Sequence, residues 1–258
     1  MRAEPLTQGS PLRLGLPVRE VEHIFPAEGP LSRLRTANRP YLSLGGSQAD
    51  GQKYSTPWCV SKLKRLLDIA VALAFCVLAL PICLPIALAI RLSNPGGIFF
   101  RQWRTGLFGR RFQIFKFRTM VRDAEERKES LQHLNRHGSK SPDFKIVNDP
   151  RITAVGRFLR RTSLDELPNL INVLTGDMSI IGPRPTSFSV DRYEDWHLVR
   201  LTVPPGMTGL WQISGRSEVD FDERVRLDYR YILDQSFALD LKILALTPLR
   251  VFERRGAC

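Results

Sequence analysis

Between Ile69 and Ile90 the chain carries no charged residue, so any fold open to it must either bury that run or leave it in lipid. As a helix rising 1.5 Å per residue, the run is long enough to cross about 30 Å of hydrocarbon. Two features set it apart from a simple span. Pro81 and Pro85 fall in its middle and C-terminal half, where each removes a helix hydrogen bond and favours a kink. Basic residues also flank both ends: Lys62, Lys64 and Arg65 before it, then Arg91, Arg101 and Arg104 after it. The positive-inside tendency would hold both flanks on the cytoplasmic side. A helix that enters, breaks at Pro81 and Pro85 and returns satisfies both constraints, while on charge alone a single crossing stays open.

The remaining length of a 258-residue chain accommodates one catalytic domain and an appendage. Lys and Arg number 38 against 26 Asp and Glu, a net charge of +12, which calls for an acidic partner: nucleic acid, an anionic membrane or phosphorylated substrates. Cysteines at 59, 76, 83 and 258 have no metal-ligand spacing, and two lie in the apolar run, so reduced thiols are expected rather than a disulfide framework. No internal repeat is evident. Met1 to Tyr54 has no apolar core of the length a signal peptide needs. Residues 1–57, with prolines at 5, 11, 17, 26, 30 and 40 and no sustained period, are expected to form a disordered tail.

After the turn Asn94-Pro-Gly-Gly97, Phe112 and Ile114 alternate with Gln113, Lys116 and Arg118, which predicts a short β-hairpin. Aromatic and basic residues interleaved in this way could stack on single-stranded nucleic acid. Because the stretch directly follows the apolar run, a surface at the lipid headgroup level is the better reading. Val121 to His137 is dense in charge and predicts a solvated helix. His133 and His137 have i, i+4 spacing, but no third ligand follows them and an exposed polar face explains the pair.

Ser163, followed three residues later by Glu166, has capping-box spacing and predicts a helix start. Leu164, Leu167, Ile171 and Leu174 would then bury one face, and Asp165 and Glu166 would occupy a first turn that favours negative charge. Such placement should keep both carboxylates ionised. An ordinary helix start accounts for all of this. Arg157, Arg160 and Arg161 immediately upstream shift the balance, since charges of both signs at a helix start suit a phosphate, a metal ion or both. Farther on, Pro183 and Pro185 flank Arg184 and would pre-set its direction, as a bidentate phosphate clamp requires. Gly206, Gly209 and Gly215, in a loop tipped by Arg216, would let backbone approach a ligand, although ordinary turns look the same.

The stretch Arg157-Phe-Leu-Arg-Arg-Thr-Ser-Leu-Asp-Glu-Leu-Pro-Asn-Leu-Ile-Asn-Val-Leu-Thr-Gly-Asp-Met-Ser-Ile-Ile-Gly-Pro-Arg-Pro185 resembles the bacterial sugar transferases, the monotopic polyprenyl-phosphate phosphoglycosyl transferases. The likeness extends from about Lys62 to about Val251. It takes in Phe-Arg-Gln at 100–102, Lys-Phe-Arg-Thr-Met at 116–120, Asn148 to Thr153, Val203 to Arg216, and Asp228 with Tyr231. Phe221 stands near where members often carry Trp. Leu80 stands where they commonly carry Ser before the break proline.

The resemblance implies an α+β, mostly helical fold: a re-entrant membrane helix–break–helix over 58–92, and a small cytosolic catalytic domain over 93–253 with a short β-hairpin and interfacial amphipathic helices, one of them over Leu239–Leu246. It implies an enzyme on the cytoplasmic face of a bacterial inner membrane that moves a sugar 1-phosphate from a UDP-sugar to undecaprenyl phosphate and releases UMP. That would be the first membrane step of exopolysaccharide, capsule, O-antigen or glycoprotein glycan assembly. On the same basis Asp165 is the nucleophile that forms a covalent intermediate, Glu166 orients the metal or assists deprotonation of the incoming polyprenyl phosphate, and both touch Mg²⁺. Arg160, Arg184 and Arg216 contact phosphate or nucleotide. Anionic inner-membrane lipids are implied partners, a homodimer is allowed, and no nucleic acid is expected. The alternatives are a conventional glycosyltransferase, which would release UDP, and a basic membrane-associated scaffold or nucleic-acid binder.

Overall fold

The computed structural model describes residues 58–93, 96–135, 146–214 and 220–252. The tail at 1–57, His137, Gly215 and Arg216 lie outside the described residues. Within them the chain is mostly helical, with small sheets and one long apolar helix, as the coarse sequence reading expects.

Helix α1, Lys62–Ser93, contains the apolar run, and it continues without interruption through Pro81 and Pro85. The expected break is therefore not drawn as one. The prolines deprive the Val77 and Pro81 carbonyls of their usual i+4 donors, which weakens the ladder without ending it. Both ends of α1 pack on the same folded body. Toward its start, Lys64, Asp68 and Ala72 are buried, and Ala72 belongs to the main core with Leu170, Val173 and Ile180. Toward its end, Ile86 and Ile90 are buried with Phe117 and Leu159 in a second cluster. Between these anchors Val77, Leu80 and Leu84 are 66%, 67% and 76% exposed.

Strands β1, Phe99–Thr105, and β2, Arg111–Phe117, form the expected antiparallel hairpin, with Phe99 opposite Phe117 and Thr105 opposite Arg111. The paired rings of Phe99 and Phe117 stack at 5.5 Å, and Arg101 lies over its cross-strand partner Phe115. The charge-dense stretch that follows is not the α-helix its composition suggests. It folds as turns with short 3₁₀ segments at Glu126–Lys128 and Gln132–Leu134. Charged side chains without an apolar face give a longer helix nothing to pack against.

Helix α2, Ala154–Thr162, begins at Thr153, whose hydroxyl accepts from the Gly156 N–H at 2.9 Å. A 3₁₀ segment, Leu164–Asn169, and helix α3, Leu170–Thr175, follow. Parallel strands β3, Ser179–Ile181, and β4, Gly206–Thr208, then align Ser179 with Gly206. A short helix α4 (Leu210–Ser214) leads to α5 (Phe221–Asp234) and α6 (Phe237–Phe252), which close the body. Helix α6 buries Asp240 and Ile243 yet exposes Phe237, Leu241 and Leu249, so it meets both the core and the surroundings with apolar groups.

Asp240 belongs to a buried polar knot. Lys64 Nζ lies 2.7 Å from Asp68 and 3.1 Å from Asp240, Trp58 Nε1 donates to Asp240 at 2.8 Å, and Tyr231 Oη donates to its other oxygen at 2.8 Å. Arg65 donates to the Val173 and Leu174 carbonyls at 2.6 and 2.9 Å, supplying donors to the end of α3. Among the described residues the cysteines at 59, 76 and 83 are free thiols.

Two close backbone approaches demand glycine. A Cβ at Gly156 would lie 1.9 Å from the Thr119 carbonyl oxygen, and one at Gly206 would lie 2.1 Å from the Gly182 nitrogen. Gly209 likewise faces the Gly182 backbone, so Gly206 and Gly209 serve chain packing. Gly156→Ala must push α2 off the segment after β2, and a loss of about 1–3 kcal/mol is expected. Thermal melting in detergent micelles measures it, and an unchanged Tm would contradict the packing described.

Candidate active site

Thr162 ends α2 because Ser163 adopts a left-handed conformation, φ 57°, and its N–H returns to the Arg160 carbonyl at 3.3 Å. Ser163 is therefore the C-terminal cap of α2, and its side chain makes no capping bond to the segment that follows. The expected capping box does not form. Arg160 and Arg161 accordingly sit in the last turn of α2, where positive charge suits the dipole, instead of upstream in a loop.

The carboxylates lie on the 3₁₀ segment, where residues three apart share a face. Asp165 and Pro168 are both buried, which fits that period. Pro168 has no N–H to return to Leu164, which disfavours an α-helix starting at this point. The change of winding also shifts the apolar register. Leu170 and Val173 fill the core, Leu164, Leu167 and Leu174 pack part-way against it, and Ile171, expected inside, is exposed.

The 3₁₀ segment rests on β2, which brings Glu166 against Lys116. Lys116 Nζ donates to Glu166 Oε1 at 2.6 Å, and Arg184 closes on the same carboxylate from the opposite side. Its Nη1 donates to Oε2 at 2.9 Å and its Nη2 to Oε1. Asn172 braces this arrangement from α3. Its Nδ2 donates to the Gln113 carbonyl at 2.7 Å and its Oδ1 accepts from the Phe115 N–H at 3.2 Å, so the amide binds the β2 backbone just before Lys116. Neither Lys116 nor Asn172 is among the sequence-derived candidates. Strand parity could have found Lys116, since it shares the even-numbered face of β2 with buried Phe112 and Ile114.

Adjacent carboxylates thus have different surroundings. Burial pushes Asp165 above the ordinary carboxylate range, opposed by Lys116 and seconded by the Glu166 charge, with Arg160 and Arg184 also opposing. Burial would raise Glu166 as well, but Arg184 and Lys116 outweigh it and hold that carboxyl well below its usual range. Where the sequence expects both carboxylates to stay ionised, burial disfavours the charge at Asp165 and the neighbouring cations favour it at Glu166. Lys116 is itself lowered by burial, against the pull of Glu166. Among the described residues, no hydrogen bond is made to the Asp165 carboxylate, whereas both oxygens of Glu166 are occupied.

That difference decides how a divalent cation fits. Glu166 offers Mg²⁺ no oxygen free of a cationic partner, whereas Asp165 could supply one carboxylate, with phosphate oxygens and water completing the shell. Among the described residues no cluster of three His, Cys, Asp or Glu side chains stands ready for a metal ion.

Of the remaining candidates, Arg160 contributes charge to Asp165 and donates through Nε to Thr119 Oγ1 at 2.9 Å. Arg184 lies between Pro183 and Pro185, and its fork grips Glu166. Asp228 and Tyr231 lie behind this surface on α5, both 1% exposed.

Glu166→Gln removes the charge that separates Lys116 from Arg184. With side-chain exposures of 17%, 19% and 28% for Lys116, Glu166 and Arg184, the loss should be about 2–4 kcal/mol, at or just below the range for fully buried pairs. A carboxyl lowered on folding contributes stability above its ordinary value of 4.5 and loses it as pH falls further toward the folded value. Melting curves of both proteins should therefore differ most near pH 7 and converge in acid. Equal Tm values at neutral pH would exclude this role for Glu166.

The family model described as bacterial sugar transferase matches residues 59–254. The undecaprenyl-phosphate galactose phosphotransferase of Salmonella typhimurium is 44% identical over 199 residues, covering 76% of this chain and 41% of that protein. The UDP-glucose:undecaprenyl-phosphate glucose-1-phosphate transferase of Escherichia coli is 42% identical over 204 residues, covering 76% and 41%. The chain thus matches about two fifths of the length of these relatives. The exopolysaccharide production protein ExoY of Rhizobium meliloti is 38% identical over 197 residues, and there the match covers 75% of this chain and 87% of the relative. With its residues 59–254 matched from α1 through the Glu166 cluster to α6, the chain belongs to the bacterial sugar transferase family.

Proposed function

We propose that this chain moves a sugar 1-phosphate from a UDP-sugar to undecaprenyl phosphate and releases UMP, with Asp165 as nucleophile. The observation that carries the reading is the division of labour between neighbouring carboxylates. Glu166 is held by Lys116 and Arg184, while Asp165 is buried among the same cations with no hydrogen bond made to its carboxylate among the described residues. The activities named for the relatives supply the substrate classes.

In the first step an Asp165 carboxylate oxygen attacks the β-phosphorus of the UDP-sugar. A new P–O bond forms, and the bond to the bridging oxygen breaks, with its electron pair leaving on UMP. In the second step an oxygen of undecaprenyl phosphate attacks the same phosphorus and displaces the Asp165 carboxylate, which restores the enzyme. Arg160, and the parts of Lys116 and Arg184 not engaged by Glu166, would offset charge on the phosphoryl oxygens. Asp165 would help hold Mg²⁺, which when bound would supply further charge neutralisation. Arg216 would contact the nucleotide or phosphate from its own loop. Glu166 acts by keeping its cations in place.

The membrane reading follows from α1. Its middle turns expose large apolar side chains, while its ends pack on one body. A helix that crossed completely would carry one of those ends away from that body. Insertion from the cytoplasmic face of the inner membrane, with the ladder loosened at Pro81 and Pro85 and the chain returning beside exposed Phe99, Phe100 and Trp103 at the headgroup level, would keep both ends on that body. The product would prime exopolysaccharide or a related surface glycan.

The covalent step is tested with UDP-sugar labelled in the β-phosphate and no lipid acceptor. Label should remain on the protein while UMP departs, and Asp165→Asn should abolish both labelling and turnover. Substantial turnover by Asp165→Asn would end the assignment. UDP in place of UMP as product would instead indicate a conventional glycosyltransferase.

Topology is tested with single cysteines at Lys62 and Arg110 in a background without the native thiols. Both should resist an impermeant thiol reagent added to intact cells and react after lysis. Periplasmic labelling of one site alone would establish a full crossing.

A further inference from the structure

Asp228 and Tyr231 stand three residues apart on α5, and neither touches the Glu166 cluster. Tyr231 is accounted for by the buried knot at Asp240. Asp228 is not. Its carboxylate contacts Arg200 Nη2 at 2.8 Å, with side-chain exposures of 4% and 1% for Arg200 and Asp228. Two charges buried this deeply cost desolvation, and such a pair by itself is a poor source of stability.

The second contact of the same nitrogen gives the pair a purpose. Arg200 Nη2 also donates to the backbone carbonyl of Arg184 at 2.7 Å. Arg184 sits between prolines, so its neighbours have no N–H through which the segment could be tethered. The carbonyls are the handles instead. Pro183 accepts from the Gly206 N–H at 2.9 Å, Arg184 from Arg200, and Pro185 from Arg104 at a long 3.4 Å. Of the two guanidinium bonds, that of Arg200 is the short one, and it holds the residue whose own guanidinium grips Glu166. The ring of Phe221, 5.4 Å from the Arg200 guanidinium carbon, flanks the bridge.

We infer that Arg200 and Asp228 are positioning residues for the transfer reaction: Asp228 orients Arg200, and Arg200 fixes the Pro183–Arg184–Pro185 backbone so that the Arg184 fork meets Glu166. The link to the reaction rests on the function proposed above. The mechanical chain from Asp228 to Glu166 can be tested apart from it.

Arg200→Lys keeps a charge beside Asp228 but ends one bond short, and Asp228→Asn keeps the shape without the charge. Each full-length variant is reconstituted in phospholipid nanodiscs with undecaprenyl phosphate, given UDP-glucose or UDP-galactose, and assayed for UMP. With Tm showing a folded protein, kcat should fall about tenfold or more while KM for the nucleotide sugar stays within about threefold. A folded variant of either kind with wild-type kcat would overturn the inference. So would loss of the folded state in both, which would make the pair a core support.

A double-mutant cycle on Tm between Arg200→Lys and Glu166→Gln needs no turnover. These sites make no direct contact, yet the combined loss should be smaller than the sum, because the first change has already loosened Arg184. Strict additivity would overturn the inference even in an active enzyme. Wild-type protein that releases no UMP from any nucleotide sugar would count against the proposed function, while the cycle would still decide the positioning role.

Discussion

The Glu166 carboxylate, shared between Lys116 and Arg184, is the contact on which the arrangement of the site depends. It joins a strand, a 3₁₀ segment and a proline-bounded loop that are far apart in sequence. None of these groups would be placed there for stability alone, since partly buried ions lose hydration that their pairing only partly returns. With the carboxylate in place, two cations can be held close together in a shielded pocket. Without it they repel one another. Positive charge is thereby assembled in the fold before any anion arrives, which lowers the reorganisation that binding one would require.

The membrane helix is continuous with that arrangement. Arg65, at the start of α1, donates to the terminal carbonyls of α3, and Asn172 of α3 binds the β2 backbone next to Lys116. At its other end, α1 packs Ile86 and Ile90 against Phe117 of β2 and Leu159 of α2. The apolar helix and the charge cluster are therefore joined through α3 and β2, by hydrogen bonds at one end of α1 and by apolar packing at the other.

Much of this was legible in the sequence where one local rule governed. The uncharged run gave α1, and strand alternation gave the hairpin. The misreadings occurred where several local rules competed. Ser163 and Glu166 satisfy the spacing of a capping box, but a left-handed Ser163 closes the helix before it, and the Glu166 side chain finds stronger partners across the fold. Ile171 obeys the helical period counted from Leu164, yet the 3₁₀ winding before it advances the register and turns it outward. Lys116 was read as part of an interfacial surface from its composition. Its even position beside Phe112 and Ile114 points it inward instead, and no local pattern could reveal that Glu166 waits there. Arg200 and Asp228 had no visible link in sequence, because what joins them is a backbone carbonyl of a third residue.

The same winding explains how adjacent acids can perform different tasks. On a 3₁₀ helix consecutive side chains project about 120° apart, so Asp165 and Glu166 cannot share one set of partners. Pro168, which helps impose that winding, lies three residues beyond Asp165 and is buried on its side. Glu166 is thereby aimed at β2 and Arg184, where cations stabilise its ionised form. Asp165 is directed into a region that disfavours its charge and makes no hydrogen bond to it among the described residues. Lys116, Arg160 and Arg184 oppose that effect as nearby charges, without outweighing burial. Local backbone geometry, set by one proline and one left-handed serine, thus gives two adjacent carboxylates opposite electrostatic surroundings.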